Sequence, residues 1–314
     1  MRLDTVTVFG ASGFIGRHLV KRLAARGAVI RAVSRDPERA LHLKPLGDVG
    51  QIVLLPAPAE PDAEKLRGLV EGADLVVNLV GILYERRRGD FEKAHVHLAR
   101  AIAEAAVASG CRALVQISAI GADPASPSLY ARTKAQGEAA VREAFPGATI
   151  LRPSIVFGPE DSFFNRFARM AQFSPVLPIV GARTRFQPVY VGDVAEAVIA
   201  AALADDAPGR LYELGGPRVY TFGELIRYML KVTGRRRLVI DLPLPLARLV
   251  ALFAEWLPEP PITRDQILLL QRDNVVSPDA PGLRELAIRP TPLEVIVPQY
   301  LVTYARRMVR LPVV

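Results

Sequence analysis

Near its start the chain reads "TVTVFGASGFIGRHLV" (residues 5–20), with Gly10, Gly13 and Gly16 between an apolar run and a helical pattern. Such a glycine triplet carries weight only where it ends a strand and opens a helix, and this one does both. Gly10 permits a tight turn, Gly13 lets backbone approach a pyrophosphate, and Gly16 allows helix and strand to pack closely. The helix start then offers free N–H groups and the positive end of a dipole to a phosphate. A glycine-rich turn without a ligand is the plainer alternative.

The same strand–helix rhythm continues for more than half the chain. "VIRAVSR", "QIVLL", "ADLVVNLVG", "ALVQISAIG" and "ATILRPSIVFG" read as strands two to six, and "DAEKLRGLVEG" and "DFEKAHVHLARAIAEAAVASG" read as helices between them. Near-continuous Val/Ile/Leu strands separated by helices predict an α/β fold with a doubly wound parallel sheet covered on both faces. After Gly158 the rhythm loosens, and residues 216–314 are richer in proline and mostly helical in pattern. The reading is a dinucleotide-type domain over 1–160 and 186–215, with a smaller, mainly helical C-terminal lobe over 161–185 and 216–314. In 314 residues half are apolar, enough for a sizeable core. The single cysteine, Cys111, excludes an internal disulfide framework and suits a reducing compartment.

The end of the second strand chooses the nucleotide. An acidic side chain there holds a ribose 2′-hydroxyl, whereas a basic one accepts a 2′-phosphate. The sequence places Ser34 and Arg35 at that point, with Arg17 just after the third glycine. This favours NADP(H) over NAD(H). Asp36 is the competing ribose ligand if the strand runs further.

Ligands of open α/β sheets bind outside the carboxyl ends of the strands. Ser118 ends the fifth strand, and "SLYARTKAQGE" (128–138) follows as a helix in which Tyr130 and Lys134 share a face. Ser118 can polarise a carbonyl, Tyr130 can trade a proton, and Lys134 can tune the phenol and hold a ribose.

Together "GASGFIG", "NLVG" (78–81), Ser118, "YARTK" (130–134), "LRPSIVFGP" (151–159) and "PVYVGDVAEAV" (188–198) resemble the extended or atypical short-chain dehydrogenase/reductases, a Rossmann-type superfamily. Within it, "VVNLVGILYE", "SLYARTKAQGE" and "LRPSIVFGPEDSFFNRFA" resemble the dehydrogenase-like accessory subunits of respiratory complex I. The resemblance implies a catalytic set of Ser118, Tyr130 and Lys134. It implies cofactor contacts at Gly10, Ser12, Gly13, Phe14, Ile15, Gly16, Arg17, Ser34, Arg35, Val80, Gly81, Ser118, Tyr130, Lys134, Pro153, Ser154 and Val156. It further implies tightly held NADPH with a mainly structural part, complex I subunits as partners, and a position peripheral to the inner membrane on its cytoplasmic or mitochondrial-matrix side.

Two positions depart from the superfamily pattern. His95 stands where active members carry an asparagine of a proton relay, and it is read either as a shuttle or as a packed or solvated residue. After the third strand, where an aspartate commonly meets the adenine amine, "VLLPAPAEPD" offers only a displaced Asp62.

In the C-terminal lobe, "DLPLPLARLVALFAEWLPEPP" (241–261) is almost wholly apolar. It is either a buried helix or one that rests on a membrane or membrane subunit with Trp256 at the interface. The arginine runs "GRRRL" (234–238) and "YARRMVRL" (304–311) are either solvated faces or contacts for an anionic membrane surface. No apolar run reaches the length of a spanning helix, and the N-terminal "MRLDTVTVFG" lacks a signal-peptide core. A formal charge of +8 with few aromatics and no basic–aromatic interleaving argues against nucleic acid as a partner. The function expected is a cofactor-bearing complex I accessory subunit. The alternative is an active NADP(H)-dependent reductase or epimerase on a small or prenylated substrate.

Overall fold

In the computed structural model, which describes residues 3–204, 206–257 and 260–305, seven strands form one sheet. They are β1 (Thr5–Phe9), β2 (Val29–Ser34), β3 (Ile52–Pro56), β4 (Leu75–Asn78), β5 (Ala113–Ile117), β6 (Thr149–Pro153) and β7 (Leu211–Leu214). Their spatial order is β7-β6-β5-β4-β1-β2-β3. Every adjacent pair runs parallel. The order reverses between β1 and β4, which opens a crevice at their carboxyl ends. Both faces are covered, so that even the alternate positions of β4 are buried.

The helices of this region are α1 (Phe14–Ala25), α2 (Ala63–Val70), α3 (Leu98–Ala108) and α4 (Leu129–Ala144). Asp62 caps α2 by accepting from the Lys65 N–H at 3.1 Å, which explains its displaced position in the sequence. Ser128 caps α4. The helical run that leads into α3 begins at Asp90–Glu92 and passes through a π-helical segment, Lys93–His97. Phe9, Leu66, Val76, Ile102, Leu114, Val141 and Ile150 belong to one apolar core between sheet and helices.

The chain divides into two compact units. One comprises the chain up to Pro153 with Val191–Leu214 and Ser277–Arg289. The other comprises Ser154–Tyr190, Gly215–Val276 and the chain from Pro290. Residues 277–289 therefore sit with the sheet and not with the C-terminal part of the sequence. Their backbone explains it: Pro281 O accepts from Glu213 N at 2.9 Å, and Ser277 N donates to Glu213 Oε2 at 2.8 Å. The sixth strand also ends earlier than the run "ATILRPSIVFG" predicts. After Pro153 the chain leaves the sheet, and Val156–Phe157 pairs instead with Val189–Tyr190 in the second unit.

In the second unit, α5 (Phe164–Phe173) packs with α7 (Phe222–Val232) and α10 (Leu293–Leu301) around Phe157, Leu177, Met229 and Val297. The intervening α6 (Val191–Leu203) belongs to the first unit. Buried Asp161 gathers the N–H groups of Gly158, Phe164 and Asn165 and the Tyr300 hydroxyl. The remaining helices are α8 (Leu244–Ala254) and α9 (Arg264–Leu269). The side of α8 that is covered is Ala247, Ala251 and Ala254, against Val180 and Ile267. The large residues face out: Leu246, Leu249, Val250, Leu252 and Phe253 are exposed, and just beyond the helix Trp256 is 88% exposed. The expectation of a buried helix fails here because the spacing of four and three selects alanines for the inner stripe. Among the described residues no helix is long and apolar enough to cross a membrane. Gly234–Arg237 line a pocket of about 460 Å³, with Arg235 Nε on Tyr304 O and Arg237 Nε on Ala171 O. Arg306, Arg307 and Arg310 of the other basic run lie outside the described residues.

Candidate functional site

The glycine turn has the geometry that its residues predict. Gly10 has φ of +78°, and a Cβ on it would press on the Leu79–Val80 backbone at 3.2–3.3 Å. Only glycine lets the turns after β1 and β4 approach so closely. A Cβ on Gly16 would lie 2.3 Å from Ala11 O, whereas one on Gly13 meets only Gly10 O, at 3.2 Å. Gly13 thus leaves open space at the start of α1, where no side chain caps the helix and no acidic residue occupies the first turn. Phe14, Ile15 and Arg17 of that turn are half-buried. These features fit a pyrophosphate, which needs bare N–H donors, room beside the backbone and no competing negative charge.

Ser12 Oγ and Ser34 Oγ lie 2.9 Å apart and tie the turn to the end of β2. Arg35 is exposed immediately beyond. Asp36 is engaged locally. Its Oδ1 accepts from the N–H groups of Glu38 and Arg39, and its Oδ2 lies 3.2 Å from Arg39 Nε. It starts the 3₁₀ run Glu38–Leu46.

Past β5 lies the second cluster. Ser118 is buried, its N–H held by Leu151 O at 2.8 Å, and its Oγ has no hydrogen-bond partner among the described residues. A buried hydroxyl left in that state costs free energy unless a ligand or water completes it. Lys134 is buried on α4 and gives one hydrogen bond, to Ile117 O at 3.3 Å. Burial lowers its pKa to about 8, against the opposing pull of the Glu138 carboxylate. The Tyr130 ring is half-buried and packs edge-on against Phe91 and His95, with centroids 5.8 and 5.4 Å away. A Cβ on Gly81 would come 3.3 Å from Lys134 Nζ and 4.0 Å from His95 Nε2. The turn carrying Val80 and Gly81 therefore lies directly against Lys134. Among the described residues the ammonium has two donors left. With the hydroxyl of Ser118, the next residue after Ile117, and the bare turn at Gly81, this set suits a ribose and a nicotinamide amide. Bound there, a nicotinamide nucleotide supplies hydride chemistry.

Of the other sequence-predicted contacts, Pro153 closes β6 in the first unit, and its carbonyl accepts from Ile120 N at 3.1 Å. Ser154 and Val156 belong to the second unit. The Ser154 hydroxyl is engaged with Asn274, and Val156 pairs with Val189.

One group, Arg152, escaped the sequence reading, and for a second, His95, the sequence left the role open between a shuttle and a packed or solvated residue. Arg152 makes a two-pronged bond to Glu138 at 2.7–2.8 Å and lies 3.7 Å from Glu213, joining α4, β6 and β7 by buried charge. His95 bridges the turn after β4 to α4. Its Nε2 accepts from Ile82 N at 3.2 Å, and its Nδ1 lies 3.0 Å from Thr133 Oγ1. The available signal was Gly137, a glycine inside a helix. A Cβ there would sit 2.0 Å from His95 O.

Fold and site together define a dinucleotide-binding α/β protein. The chain belongs to the NAD dependent epimerase/dehydratase family, whose pattern it matches over residues 6–215. It is 39% identical over 293 residues to the mitochondrial NADH dehydrogenase (ubiquinone) 1 alpha subcomplex subunit 9 of Mus musculus, covering 92% of this chain and 77% of that protein. It is 36% identical over 248 residues to a ceramide reductase of Caulobacter vibrioides, covering 76% of this chain and 74% of that one. Among solved structures, the Citrobacter triphenylmethane reductase complexed with NADP(H) shares the fold, with a TM-score of 0.74 at 20% identity over 94% of this chain and 99% of that chain.

Proposed function

We propose that the chain holds NADPH as a mainly structural cofactor and serves as an accessory subunit of respiratory complex I. It would sit peripheral to the inner membrane on the matrix or cytoplasmic side. The observation that carries this reading is α8, which hides its alanines and exposes Leu246, Leu249, Val250, Phe253 and, beyond it, Trp256. A patch of that kind marks a membrane or protein contact. The arginines of 235–237 nearby in sequence match an anionic lipid surface. The relationship to the mouse subunit supports the same partner.

Preference for NADPH over NADH rests on Arg35 after β2, with Arg17 in the first turn of α1, and on Asp36 being committed to its own turn. Replacing Arg35 by Glu removes a charge-assisted contact worth about 1.5–3 kcal/mol. The expected result is a roughly 10- to 100-fold loss of NADPH affinity with NADH affinity nearly unchanged, measured by fluorescence titration. Equal losses for both nucleotides refute the preference. Purification of tagged protein from the membrane fraction tests the assembly. Complex I subunits and an extractable NADP(H) should accompany it, and a soluble protein free of those subunits rules the reading out.

A second reading is kept by the intact Ser118, Tyr130 and Lys134 and by the similarity to a ceramide reductase. It is an NADP(H)-dependent reductase acting on a small or lipid-like carbonyl. Tyr130→Phe separates the two. Nucleotide affinity persists under either, but only an enzyme loses turnover.

A further inference from the structure

The buried imidazole of His95 has a use that neither the glycine turn nor the Ser118–Tyr130–Lys134 set requires. It lies in the π-helical segment Lys93–His97, is 3% exposed, stacks on Phe91 at 5.2 Å and stands edge-on to Tyr130. π turns inside helices are frequent at functional sites. This one swings the His95 carbonyl onto α4 at the point where Gly137 has no side chain.

The hydrogen-bond directions around the ring are set by chemistry. Ile82 N–H can only donate, so Nε2 accepts and carries no proton. The Thr133 hydroxyl donates to the carbonyls of Leu129 or Tyr130, so it accepts from Nδ1–H. The ring is thereby fixed as one neutral tautomer. A proton relay needs groups that both take and give a proton. Here the line ends at an amide N–H that gives none away. The ammonium of Lys134 and the Tyr130 ring are the titratable groups facing the imidazole. Burial, together with the positive charge of the ammonium, keeps the ring neutral, with its pKa lowered to about 3.

We infer that His95 is a positioning residue: a neutral imidazole that pins the turn Val80–Ile82 against Lys134, setting nucleotide affinity without touching the nucleotide and without relaying protons. The effect on affinity rests on the cofactor reading above. The pinning of the turn does not.

Three measurements test it on the full chain. In ¹⁵N-imidazole NMR the His95 ring should show a single Nδ1–H tautomer that does not titrate between pH 5 and 9. A signal that titrates near neutrality overturns the proposal in favour of a relay. His95→Phe keeps the stack on Phe91 but cannot accept from Ile82. It should weaken NADPH binding about tenfold and raise amide exchange at Ile82. His95→Gln restores an acceptor and should recover both. If Phe retains affinity and Gln does not, the residue is core filling and the proposal fails. If wild type and variants all bind no nucleotide while the tautomer and Ile82 protection behave as stated, the cofactor reading fails and the pinning role stands.

Discussion

Helices α4 and α8 are patterned in opposite senses. The first buries Thr133, Lys134 and Glu138, and the second buries only alanines and exposes its leucines. Neither follows the usual rule of apolar residues in and polar residues out. On α4 each buried polar group has a partner: Glu138 has Arg152, Thr133 has His95 and backbone, and Lys134 has Ile117 O with donors to spare for a ligand. On α8 nothing among the described residues covers the leucines. Inverted patterning of the first kind builds a site into the core, and the second kind leaves a face for something outside the chain.

This contrast can be broken, and the buried charges of α4 are the place to begin. Arg152→Ala leaves Glu138 and Glu213 buried near each other without their cation. Removing one partner of such a pair costs about 3–5 kcal/mol, so the urea midpoint should fall steeply. A loss below about 1 kcal/mol, the range of an exposed pair, would show the pairing to be ornamental. On α8 the inner face should resist enlargement: Ala251→Leu overpacks the seam with Ile267 and should cost about 1–3 kcal/mol in the same urea titration. The outer face should tolerate change, with Leu249→Ser and Phe253→Ser each within about 0.5 kcal/mol of wild type. Both should nevertheless reduce sedimentation with vesicles containing anionic lipid. A stability loss as large as that of Ala251→Leu would mean those side chains are covered after all.

The remaining effects are in pH. The folded pKa of Lys134 is lowered to about 8. Between about 8 and its unfolded value the unfolded chain binds more protons, so stability should rise with pH across that window. For His95, lowered to about 3, the same sign means stability is lost as pH falls from its unfolded value near 6.5. Melting temperatures of Lys134→Met and His95→Gln should show flatter slopes in the alkaline and acid windows respectively. Slopes identical to wild type would contradict both burial arguments.

The sheet was legible because its signals are local. Strand runs of Val, Ile and Leu and the glycine turn need no distant partner to be read. Ser118 and Lys134 were legible for the same reason, each being placed by the element that carries it. What the sequence withheld depends on residues far apart in the chain. The orientation of α8 is decided by Val180 and Ile267, residues at a distance from it in sequence. The role of His95 depends on a π turn that has no compositional signature, and on Gly137 some forty positions later. Just past the end of the sixth strand at Pro153, Ser154 is engaged by Asn274, a residue 120 positions later that no local pattern announces.

The loop back of Ser277–Arg289 to the edge of the sheet makes the order of the chain matter. A fragment stopped near residue 215 keeps every glycine of the turn, along with Ser118, Tyr130 and Lys134. It lacks the carbonyl of Pro281 and the amide of Ser277 that fasten Glu213 on the outermost strand. The nucleotide half is therefore finished only after residues 277–289 have been made, and a product truncated before them carries the motif with its border strand unlatched.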